Sequence, residues 1–60
     1  MLARTYFHLV DAIVAAYTDA QLLAVHDRIA VIPMHPLERR ALARHLRARE
    51  RMLQLEIDEL

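Results

Sequence analysis

A chain of 60 residues holds one small domain, and its 8 basic and 8 acidic residues cancel, so no bulk field marks it as a nucleic-acid binder or an acidic tail. Gly, Cys, Ser, Asn, Lys and Trp are all absent, which excludes a phosphate-cradling glycine loop, a disulfide framework and a thiolate metal site, and leaves only Thr5, Thr18, two Tyr and the carboxylates as nucleophiles. The apolar fraction of 57% is high for a chain with so little interior, and a domain this small usually needs a staple or an oligomer.

The spacing predicts a first helix over about residues 2–17. Arg4, His8 and Asp11, continued by Ala15, fall on one narrow polar stripe at i, i+4, i+7. The remaining surface carries two apolar rows, Leu2, Tyr6, Leu9, Ile13 and Tyr17 in one and Ala3, Phe7, Val10 and Val14 in the other. So wide an apolar arc calls for cover on more than one side. Residues 6–17, YFHLVDAIVAAY, have something of a secretory segment, but His8 and Asp11 sit inside them and the run falls short of the ~20 residues of a spanning helix. The chain is therefore expected to be cytoplasmic, with no membrane partner.

A second helix is expected over 19–31. Thr18-Asp19-Ala20-Gln21 matches a capping box, with Thr18 as N-cap, and Asp19 suits the positive end of the helix dipole. Leu22, Leu23, His26, Ile29 and Ala30 are the expected buried face, with Gln21, Asp27 and Arg28 outside. Pro33 disfavours helical geometry at Ile32 and ends the segment.

A third helix is expected over 36–59. Pro36 fits the first helical position, Glu38 lies in the first turn, and no breaker follows. Leu42, Leu46, Leu53, Ile57 and Leu60 share one face, with Met52 beside them and Arg49 interrupting the row. The fold class expected is thus all-α: three helices in a hairpin-type protein with a long C-terminal helix, residues 1–60 forming a single helical domain.

The shorter helices span only ~24 Å and ~20 Å against a rod of ~37 Å. The uncovered apolar length predicts a homodimeric bundle joined through Tyr6, Leu9, Ile13, Leu53, Ile57 and Leu60. Residues 39–51 hold six arginines and residues 52–60 only acidic charges, so antiparallel third helices would set opposite charges together.

Arg40, Arg44, Arg47 and Arg51 recur at i, i+4, i+7, i+11 and stack into a ladder nearly opposite the leucine row. Such a ladder grips phosphates or an acidic protein surface through bidentate contacts, or simply faces solvent. The second and third helices superficially suggest a helix-turn-helix, but the turn Ile32-Pro33-Met34-His35 has no Gly and no aromatic interleaves the arginines. The four histidines show no metal-ligand spacing, and no nucleophile, base and orienter come together, so neither catalysis, a metal nor a cofactor is expected. The function expected is that of a small non-catalytic regulator or inhibitor that binds another protein with an acidic or mixed surface, acting as a homodimer. The alternative is a small nucleic-acid-binding regulator using the arginine face.

Overall fold

The computed structural model describes residues 1–59, and side chains through Leu55. Three α-helices make up the described chain: α1 (Ala3–Ala15), α2 (Asp19–Val31) and α3 (Pro36–Glu59). Each packs against the other two. The start of α1 lies beside Leu37 and Glu38, and its end beside Arg49, so α1 and α3 run parallel. The start of α2 lies beside Glu50 and Gln54 and its end beside Arg39, so α2 returns antiparallel between them.

The starts of α2 and α3 follow from local chemistry. Thr18 Oγ1 accepts from the Gln21 backbone N–H at 3.1 Å, and Gln21 Oε1 accepts from the Tyr17 N–H at 2.7 Å. The box is therefore reciprocal but reaches one residue further back than the usual N-cap amide. At α3 the cap is a histidine. His35 Nδ1 accepts from the Leu37 N–H at 3.0 Å, while Glu38 Oε1 accepts from the His35 N–H at 2.9 Å. Pro36 occupies the first helical position, where a missing N–H costs nothing. Leu2 caps α1 with no side-chain hydrogen bond.

Helix ends are commonly closed by a glycine in the left-handed region. This chain has no glycine, and no residue takes a positive φ. Instead α1 and α2 stop at extended residues, Ala16 at φ −72°, ψ 125° and Ile32 at φ −89°, ψ 123°. Two arginines of α3 satisfy the carbonyls this leaves. Arg39 donates from Nη1 to the Ile29 carbonyl at 3.1 Å and from Nη2 to the Ile32 carbonyl at 3.0 Å. Arg49 donates from Nε to the Ala16 carbonyl at 2.9 Å, and its guanidinium lies 5.5 Å from the centre of the Tyr17 ring. A cation at a helix C-terminus also meets the negative end of the dipole.

The core is one cluster: Leu9, Ile13 and Ala16 from the first segment, Leu22, Val25 and Ile29 from α2, and Leu42 and Leu53 from α3. Leu42 is fully buried. Tyr6, Val10, Ala12, Ile32, Met34 and Leu46 pack around it, half-buried. Two expectations are corrected here. α1 is shorter than 2–17, and Leu2 and Tyr17, outside it, are exposed. The buried face of α2 is Leu22, Val25 and Ile29, whereas Leu23, His26 and Ala30 are exposed. Apolar residues run almost all round α2, so its inward side is set by where α1 and α3 lie.

Candidate protein-binding face

On α1 the row Leu9, Ile13 and Ala16 turns inward and the neighbouring row is left outside. Phe7 is 63% exposed and Val14 60%, while Val10 is half-buried at the edge of the core. These residues recur at i, i+3, i+7 and so make a single stripe along α1. The Phe7 ring meets the half-buried Tyr6 ring edge-on, with centroids 5.8 Å apart and planes at 81°.

α3 contributes a matching stripe. Leu37, Ala41, Ala48, Met52 and Leu55 fall on one side by helical spacing, a quarter-turn or more from the buried Leu42 and Leu53. Leu37 is 66% exposed, and Met52 and Leu55 stand more than half in solvent. His45, also exposed, lies along the same side. The two stripes flank one groove. At its N-terminal end a hollow of about 430 Å³ is lined by Ala3, Tyr6 and Phe7 from α1 and by Leu37, Glu38 and Ala41 from α3. At the other end Arg49 ties α3 to Ala16, next to Val14 and Tyr17 in sequence.

The edges of this face are polar and mostly basic. Arg40, Arg44, Arg47 and Arg51 are all exposed, in the row adjoining the α3 stripe on the side away from α1. Among the described residues no carboxylate lies within ion-pair distance of any of the four. Along the outer edge of α1 run Arg4, His8 and Asp11, all exposed. The result is an apolar strip between a strongly basic border on α3 and a border on α1 whose Arg4 and Asp11 charges cancel. Of the remaining large exposed apolar residues, Leu23 and Val31 lie on the outer side of α2 with Asp27 between them in helical spacing.

Of the residues expected at a subunit interface, Leu9, Ile13 and Leu53 lie inside the single chain and Tyr6 is half-buried; Ile57 and Leu60 lie outside the residues whose side chains are described. Sequence reasoning missed Arg39 and Arg49. Arg49 stands out in the sequence only as an interruption of the leucine row, and Arg39 carries no signal of its own, but both reach back to hold the ends of the other helices. The available signal was Arg49 breaking a leucine row in a chain without glycine. His26, expected on the buried face, is exposed with Nδ1 3.5 Å from Asp27 Oδ1.

A second groove, about 380 Å³, lies between α2 and α3 and is lined by Asp19, Leu22, Leu23, His26, Leu46, Glu50 and Gln54. It is open and mixed in character. Among the described residues no group of three or more His, Asp or Glu is placed to hold a metal ion. No helix is long and apolar enough to cross a membrane. Compared with family models, curated proteins and solved structures, the chain matches none of them.

Proposed function

We propose that this protein is a small non-catalytic regulator that works by binding another protein through the α1–α3 face. The observation that carries this reading is the set of exposed apolar residues Phe7, Val14, Leu37 and Met52 on the α1–α3 side, bordered by an arginine row with no carboxylate at ion-pair distance among the described residues. A monomer rarely leaves such a patch open without using it, and protein-binding surfaces combine an apolar centre with a polar rim. Arginine suits that rim because its planar fork docks carboxylates with two hydrogen bonds at once.

The expected homodimer rests on the same leftover surface, because the single chain already covers Leu9, Ile13 and Leu53. Two copies with parallel α3 helices set ladder against ladder, and like charges across an interface oppose association. Antiparallel copies bring the ladder toward the acidic segment 52–60 of the other, so charge alone does not select between a second copy and a different protein, and the oligomeric state does. The nucleic-acid reading draws on the ladder alone and has no use for the apolar strip.

The test is affinity capture from extracts of the source cells, with and without nuclease, comparing wild type with Arg44→Glu/Arg47→Glu. Nuclease-resistant capture of a protein partner by wild type and its loss in the variant support the reading. Capture that disappears on nuclease treatment supports the nucleic-acid alternative, as does binding whose affinity falls steeply with salt. Sedimentation equilibrium across micromolar concentrations decides the homodimer.

A further inference from the structure

Resting on the protein-binding reading, we propose that the occupant of the α1–α3 groove is an amphipathic helix of another protein, carrying an apolar face and a row of carboxylates along one edge. The case is one of shape and charge. The groove lies between two parallel helices, with Phe7 and Leu37 at one end and Val14 and Met52 toward the other. Its α3 wall is low where Ala41 and Ala48 stand, which lets a third backbone come close. A helix laid in such a groove inserts apolar side chains at i, i+3, i+4 and i+7 and buries what α1 and α3 leave open.

Charge then fixes which helix. The ladder from Arg40 to Arg51 spans eleven residues of α3 on the groove's outer border, a length of about 16 Å at the helical rise. An occupant running along it presents three to four turns to those arginines. Carboxylates at i, i+4, i+7 and i+11 on the occupant match the same spacing in the ladder. A lysine-edged helix meets repulsion there. A neutral one leaves four guanidinium groups beside an apolar contact with nothing to pair with. The opposite border, with Arg4, His8 and Asp11, carries one carboxylate and is the less demanding side, so the acidic row is needed on one edge only.

The experiment uses the full chain and three designed helical peptides of about five turns. All share one leucine-rich face; the flanking row is all glutamate, all lysine or all glutamine. Binding is read by fluorescence anisotropy at physiological salt, and the site by amide chemical-shift changes. The expected result is binding of the glutamate peptide about tenfold or more tighter than the glutamine peptide, and none of the lysine peptide. Shifts concentrate at Phe7, Val14, Ala41 and Ala48 and leave Leu23 and His26 unmoved. Arg44→Glu/Arg47→Glu, shown folded by circular dichroism, leaves two arginines against two glutamates in the row and abolishes the preference for the glutamate peptide over the lysine peptide. Phe7→Glu weakens all binding without altering the order among peptides. Equal binding of glutamate and lysine peptides overturns the proposal, as do shifts confined to α2. It is also overturned if the wild-type chain is dimeric through this face, shown by Phe7→Glu turning a dimer into a folded monomer. Failure of the glutamate peptide while ladder-dependent capture of a protein persists removes the acidic helix as occupant and leaves the protein-binding reading standing.

Discussion

Two sets of arginines on α3 differ in one respect only, the side of the helix on which they stand. Arg39 and Arg49 face the other helices and end on backbone carbonyls of Ile29, Ile32 and Ala16. Arg40, Arg44, Arg47 and Arg51 face outward, with no carboxylate among the described residues at ion-pair distance. The same side chain thus does two jobs within thirteen residues. Turned inward, it replaces the glycine that the chain lacks at its helix ends. Turned outward, it borders an apolar strip. Residue type therefore says little about role here, and helical phase says nearly all of it.

The comparison is most severely tested at the residue both sets depend on. Leu42, fully buried, holds the side of α3 that fixes the phase of every arginine. Leu42→Ala is expected to cost about 2–5 kcal/mol, a large part of the stability of any small domain. Urea unfolding should show a largely or wholly unfolded chain at 25 °C. The inward set comes next. Arg49→Ala removes a charged donor from a half-buried carbonyl and a cation from the Tyr17 ring. The expected loss is about 1.5–3 kcal/mol, and Arg49→Lys should recover only part of it, since one ammonium cannot reproduce the flat guanidinium against the ring. Denaturation midpoints of the two variants check this. Recovery in full by lysine would mean that charge alone matters.

The sequence was readable where chemistry is local. The starts at Thr18 and Pro36 follow from side chains within four residues of each other, and the structure puts the helices α2 and α3 where those signals stand. It was less readable where the decision needs a third dimension. Two apolar rows on α1 are equally hydrophobic by pattern, and only the placement of α2 and α3 decides that Leu9 and Ile13 go in and Phe7 and Val14 stay out. The inward side of α2 was misjudged for the same reason. The roles of Arg39 and Arg49 join residues distant in the chain, and no local pattern contains them. The arginine ladder was plain from its spacing, whereas the apolar stripe beside it became visible only once Leu42 and Leu53 were known to point away.

Smaller effects sharpen the picture. Thr18→Ala removes one cap acceptor and should cost about 1 kcal/mol, read as a lower melting temperature with unchanged helicity at 25 °C. The outward set should show the smallest change of all. Arg44→Glu/Arg47→Glu is expected to stay within about 0.5 kcal/mol of wild type, because these side chains are exposed. The substitution also places glutamate four residues from Arg40 and from Arg51, converting like-charge neighbours into mildly attractive pairs. A loss as large as that of Arg49→Ala would show that the ladder serves the fold and is no free border.

The arginine that closes α1 reaches across 33 residues of chain to do so. The end of α1 is therefore completed by a residue that is synthesised after both of the first two helices and belongs to another helix, and the end of α2 likewise depends on Arg39. Pro33 stops α2 locally, but the end carbonyls of both helices are completed from α3. A fragment ending before α3 keeps the Thr18 cap but loses both closures together with Leu42 and Leu53, so the α1–α2 hairpin is not an autonomous unit. Concerted folding is the expected outcome, with the three helices forming their ends as they meet; coincident unfolding curves by circular dichroism and by tyrosine fluorescence are the check.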